Sequence, residues 1–191
     1  MLRILLVLTA LCLSACAGPT KAPPKPLQPE FIVPPGAEFV SGMFGYSQAA
    51  RVGPWLMVSA QVGFDTEKRG FPADFEQQVH AAFRNLQTVL EAAGAELDDV
   101  VELTSYQLDM KRFNDVVDIK TEYFGEHRPA WSAIGVEALP LPQLQFQIKA
   151  TAWAPNADIG AADTDASVVP PSADGGPSAQ SKKPFRFRPG Y

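Results

Sequence analysis

Few side chains in this 191-residue sequence could cooperate in acid–base, nucleophilic or metal chemistry. The two histidines, His80 and His127, stand alone, with no cysteines or clustered carboxylates beside them. A metal needs three or four converging ligands, so no metal site is expected. His80 falls at an exposed phase of a helical stretch and reads as solvated. Both cysteines, Cys12 and Cys16, lie at the start of the chain. The stretch that raises a chemical question is RPAWSAIGV, Arg128 to Val136. A proline follows a helix end, and a strand of small residues carries one large aromatic, Trp131. Indole has one N–H donor, no charge and a broad π face. It can stack on a flat ligand, hold a cation, or simply pack.

The elements that position these residues occupy only part of the chain. Met1-Leu2-Arg3 gives a short basic start, and Ile4 to Leu13 is apolar but too short to span a bilayer comfortably. The following Leu13-Ser14-Ala15-Cys16 resembles the lipobox of bacterial lipoprotein signal peptides. The resemblance implies a signal at residues 1–15, removed on export, and lipidation of Cys16. The mature body would then hold no thiol, which excludes a disulfide, a thiolate nucleophile and a cysteine metal site. Acyl chains on Cys16 would tether the protein to a membrane without a spanning helix. Ala17 stands where an aspartate commonly retains lipoproteins at the inner membrane, so the periplasmic face of the outer membrane is the expected location.

Residues 16–36 are proline-rich and read as an extended spacer outside the folded domain. Residues 155–191 are rich in Ala, Asp, Ser, Pro and Gly and read as disordered. That tail ends in Lys182, Lys183, Arg186 and Arg188 interleaved with Phe185, Phe187 and Tyr191, a pattern able to touch an anionic surface. The net charge of −5 and pI near 5.0 argue against nucleic acid as the main partner.

The domain is expected over residues 37–154. EFVSGMFGYSQAARVGPWLMVSAQVGF reads as two strands turning at Val52-Gly53-Pro54. In the second strand Trp55, Met57, Ser59 and Gln61 share one face, and Leu56, Val58, Ala60 and Val62 the other. Pro72 and Asp74 open a helix that Gly94 closes, with Phe75, Val79, Ala82, Phe83, Leu86, Val89, Leu90 and Ala93 on one stripe. Val101, Leu103, Ser105 and Gln107 line one face of a third strand. A second helix runs from about Lys111 to Phe124. AWSAIGV is a short strand. The last strand, LQFQIKATAW, sets Leu144, Phe146, Ile148, Ala150 and Ala152 against the core. This is an α+β pattern, a mixed sheet with two helices over one face. The other face carries Trp55, Met57 and Trp153, which suggests that something covers it.

The segments GYSQAARVGPWLMVSAQVGFD, DFEQQVHAAFRNLQTVLEAAGAELDDVVELTSYQLDM, YFGEHRPAWSAIGV and LPLPQLQFQIKATAW together resemble the RidA family, also called YjgF/YER057c/UK114 or endoribonuclease L-PSP. The resemblance implies a chorismate-mutase-like fold and a homotrimer whose sheets form a central barrel. It implies small-molecule clefts between subunits and no cofactor. Active relatives hydrolyse 2-imino or enamino acids to 2-oxo acids and ammonia. In those deaminases an arginine grips the substrate carboxylate with a two-pronged charged contact. Here Trp131 holds that place. Gln147 matches the family glutamate and cannot carry a proton, Val117 matches an asparagine of the second helix, and Ala133 matches a frequent cysteine. Tyr46, Ser59 and Gln61, with Ser132, remain as ligand-binding candidates beside Trp131 and Gln147, and Ala60 replaces the glycine after the serine. Arg51 and Arg128 read as surface charges. These departures favour a binding module with a changed ligand, small and uncharged or cationic. An imine deaminase is the first alternative and a structural trimeric interaction protein the second. A ribonuclease gains nothing from a chain without a histidine pair.

Overall fold

The computed structural model describes residues 27–155. The signal, Cys16 and the C-terminal tail from residue 156 lie outside the described residues, as does the first part of the spacer. Six strands form one mixed sheet in the order β1-β2-β3-β6-β4-β5. In chain order these are β1 (Glu30–Ile32), α1 (Glu38–Phe44), β2 (Ala49–Val52), β3 (Trp55–Val62), α2 (Phe75–Ala92), β4 (Val100–Gln107), α3 (Phe113–Phe124), β5 (Ala130–Gly135) and β6 (Phe146–Trp153). Only β4 and β5 run parallel, and the α3 crossover makes that possible. The α+β, mixed-sheet expectation holds.

α2 forms as its pattern demands. The Asp74 carboxylate accepts from the Gln77 amide, and Gly94 turns the chain out at φ 69°. Its apolar stripe is buried from Phe75 through Leu90. That stripe meets Leu56, Val58, Phe146, Ile148, Ala150 and Ala152 from the sheet. Each large side chain so buried stabilises the fold by about 1.5–3 kcal/mol. Gly63 lets helix and strand approach, because a Cβ there would stand 2.3 Å from the Gln78 carbonyl oxygen. Gln78 is itself fully buried and fully used. Its amide donates to the carbonyls of Pro72 and Gln143, and its side-chain oxygen accepts from the Gln145 amide. It locks α2 to the start of β6.

Four expectations need correcting. The stretch read as spacer supplies β1, where Glu30, Phe31 and Ile32 pair with Arg51, Ala50 and Ala49. A three-residue edge strand tolerates flanking prolines because its outer side needs no hydrogen bonds. The first expected strand is half helix. α1 ends at Gly45 with φ 68°, and its apolar Phe39, Val40, Met43 and Phe44 face outward while Ser41 is buried. On β3 the pairing shifts between Val58 and Gln61, so a bulge turns Gln61 onto the core face, away from Trp55 and Met57. On β4 a shift between Val100 and Glu102 buries Val100 and leaves Val101 exposed.

The second face of the sheet is uncovered in the single chain. Trp55 and Trp153 meet edge to face there at 4.8 Å, and both are exposed with Met57.

Candidate functional site

One group of candidates gathers where the loop after α1 meets the bulge of β3. The Gln48 amide donates to the Tyr46 hydroxyl at 3.0 Å, and the Gln61 amide donates to Gln48 Oε1 at 3.0 Å. Gln61 also donates to the Ser59 carbonyl, and the Ser59 hydroxyl donates to the Ser47 carbonyl at 2.8 Å. Gln61 is 7% exposed and Gln48 6%, so both are internal struts and only Tyr46 and Ser59 face outward. Accepting from Gln48 leaves the Tyr46 O–H free to donate, and the Ser59 oxygen keeps a lone pair. The corner therefore offers one donor and one acceptor. Among the described residues of the single chain, no histidine or carboxylate hydrogen-bonds either hydroxyl. Gln48 was missing from the sequence candidates. Its signal was an amide two residues from Tyr46 at the entry to a buried strand, where it must find partners.

Gln147 lies on β6 opposite Val62 and Tyr106, half-buried on the uncovered face. It adjoins the end of β3 that carries Ser59 and Gln61.

The second group lies at the far edge of the sheet. Trp131 pairs with Leu103 on β5 and turns toward the helices. Its indole N–H donates to the buried Ser105 hydroxyl at 3.0 Å. Its ring stacks on Phe113 of α3, with centroids 5.3 Å apart and planes 19° apart. Lys120 Nζ stands 5.3 Å from the same ring and 5.9 Å from the Phe124 ring. Ser132 is the next residue, exposed, on the opposite face of β5.

The single chain does not bring these groups together. β3 and β5 are separated by β6 and β4, which at sheet spacing is about 14 Å. Two shallow hollows open instead on the helical layer. One lies among Gln87, Glu91 and Asp98, the other among Asp65, His80 and Arg84, and neither is lined by Tyr46, Ser59 or Trp131.

The remaining charged candidates have structural roles. Arg51, expected at the surface, is 6% exposed. Its guanidinium donates to the carbonyls of Ala93 and Ala154, so it caps the negative end of α2 and has no reach to a ligand. Arg128 is exposed and pairs loosely with Glu126, as expected. His80, expected in solvent, is half-buried between α2 and α3, against the Tyr123 hydroxyl and near Glu122. His127 reaches the Val100 carbonyl and stacks on Phe124. Among the described residues no three histidine, cysteine or acidic side chains converge on a metal position. Two charged contacts outside these corners bias protonation. The Lys68 amide holds the Asp65 carboxyl down, and Asp115 holds the Arg112 guanidinium up.

The family model described as Endoribonuclease L-PSP matches residues 40–154. The RutC family protein YjgH of Escherichia coli is 39% identical over 127 residues, which span 65% of this chain and 94% of that protein. The crystal structure of Rv2704 from Mycobacterium tuberculosis, a member of the YjgF/YER057c/UK114 family, is 33% identical with a TM-score of 0.58. It covers 66% of this chain and 100% of its own. The 2-iminobutanoate/2-iminopropanoate deaminase of Dermatophagoides farinae is 32% identical over 96 residues, 50% of this chain and 75% of that enzyme.

Proposed function

The chain belongs to the endoribonuclease L-PSP (RidA/YjgF) family, and from that premise we propose that it is a membrane-anchored, trimeric binding module without deaminase chemistry. One observation carries the reading. The only N–H of Trp131 is already given to Ser105, at the position that the family resemblance matches to the carboxylate-gripping arginine of active relatives. Removing a charged hydrogen bond of that kind costs about 1.5–3 kcal/mol of binding. Gln147, in the glutamate's place, cannot relay a proton to or from water. The scaffold keeps the Tyr46 donor and Ser59 acceptor but lacks both charged partners of hydrolysis.

The trimer completes the cleft. In one chain the Tyr46–Ser59 corner and the Trp131 corner lie on separate sides of the sheet, and packing three sheets face to face would bring one copy's corner to the next copy's edge. The same packing would bury Trp55, Met57 and Trp153, a mixed aromatic face otherwise left in water. The lipobox-like LSAC supports an anchor at the outer membrane through acylated Cys16, with the proline-rich stretch before β1 as its tether.

A second reading, imine hydrolysis, has the named Dermatophagoides enzyme in its favour. The test adds freshly generated 2-iminobutanoate to the purified chain and follows 2-oxobutanoate. The binding-module reading predicts release no faster than in buffer, and a gain on combining Trp131→Arg with Gln147→Glu. Turnover by the unmodified chain that vanishes in Tyr46→Phe or Ser59→Ala would replace it with the deaminase.

A further inference from the structure

α1 is built inside out. Its i,i+4 pairs Phe39–Met43 and Val40–Phe44 run along one side of the helix. All four side chains are exposed, Phe39 to 73%, while Ser41 on the other side is the buried residue. A helix on a domain surface ordinarily turns its apolar face to the core. No other element makes extended contact with α1. Left-handed glycines frame it, Gly36 at φ 87° and Gly45 at φ 68°, and a Cβ on Gly36, Gly42 or Gly45 would meet nothing within 4 Å. A contiguous apolar face left in water in this way marks a contact surface.

The chain leading into α1 indicates what that surface meets. However it is arranged, the stretch from Cys16 to Leu27 cannot span more than about 40 Å. β1 and α1 are the first elements after it. With acyl chains on Cys16, so short a tether keeps a bilayer at high effective concentration beside α1, where even a weak apolar contact is populated. Four partly exposed side chains present less area than the roughly 800 Å² per partner of a stable protein pairing. A lipid contact has no such minimum once the tether supplies proximity.

We infer that α1 is a membrane-contact element, whose Phe39, Val40, Met43 and Phe44 enter the head-group boundary of the phospholipid bilayer and orient the domain on it. This rests on the proposed Cys16 anchor and goes beyond it, since an anchor alone leaves orientation free. Entry by an apolar helix face reaches about 5–10 Å into that boundary. α1 carries Glu38 and no basic residue, so apolar burial and not attraction to anionic head groups drives the contact. The Gly45 and Tyr46 amides both donate to the Ser41 carbonyl, so the orientation of α1 passes directly to the Tyr46 corner and sets it beside the head groups.

The test uses the full-length acylated protein in phosphatidylethanolamine–phosphatidylglycerol vesicles, with a nitroxide at Met43→Cys and, as control, at Thr88→Cys on the exposed side of α2. Collisions with oxygen, which concentrates in hydrocarbon, are compared with collisions with a nickel chelate, which stays in water. The Met43 label should meet oxygen severalfold more often and the chelate severalfold less often than the Thr88 label, equally in low and high salt. A Met43 label as open to the chelate as the Thr88 label would overturn the contact and leave the anchor standing. Shielding from both reagents would assign the face to a second copy, and shielding lost in high salt would assign it to charge; either overturns the inference. Wild type should float with the vesicles and take up no label, because Cys16 is acylated. Wild type that labels and does not float would sink the anchor together with the contact.

Discussion

The Tyr46–Ser59 corner and the Trp131 corner are built on opposite principles. In the first, the buried amides of Gln48 and Gln61 are spent on one another so that two hydroxyls keep bonding capacity at the surface. In the second, the large side chain is turned inward, its N–H spent on Ser105 and its ring on Phe113. One corner presents two hydroxyls on buried amide struts; the other turns its one large polar-tipped side chain into packing.

Substitutions should separate the two corners, because packing failures appear in stability and presentation failures in binding. Trp131→Ala removes a half-buried ring from between Ser105 and Phe113, and chemical denaturation should show a loss of about 2–3 kcal/mol. If it unfolds like wild type, Trp131 is not packing and its ring is available to a ligand. Ser105→Ala strands the indole N–H in a buried setting and should cost about 1–2 kcal/mol by the same measurement. Gln48→Ala leaves Gln61 and Tyr46 without their shared partner. About 1 kcal/mol of stability should go with it, along with weaker ligand binding. Tyr46→Phe should change stability least, by under about 0.5 kcal/mol, since the hydroxyl is partly in water. Its effect belongs in ligand affinity, and a large stability loss there would erase the contrast between the corners.

Much of the frame could be read from residue order. α2 was legible because eighteen residues carry one stripe, an Asp74 cap and a Gly94 exit. β6 was legible from strict alternation, which the structure follows through Phe146, Ile148, Ala150 and Ala152. α1 was not, because Phe39, Val40, Met43 and Phe44 fall at helical spacing over only seven residues and on a face the core does not use, so their residue types read equally well as a strand. The bulges at β3 and β4 were hidden for another reason. An extra residue in one strand leaves composition untouched yet moves every later side chain to the other face, as Gln61 and Val101 show. The partners of Arg51 and Lys120 were unreadable, since a helix end and an aromatic ring come within reach only after folding. Trp131 stood out in the sequence as a lone large aromatic among small residues; what it packs against did not.

The central claim is that the two corners meet only between copies of the chain. It is tested by placing cysteines at Tyr46 and Ser132 in one chain and treating the native assembly with a bifunctional maleimide of about 8 Å span, shorter than the roughly 14 Å between β3 and β5. Each single variant serves as control for reaction at any other thiol. The account predicts covalent dimers and trimers on a denaturing gel from the double variant alone. A product that stays at the mass of one chain would contradict it.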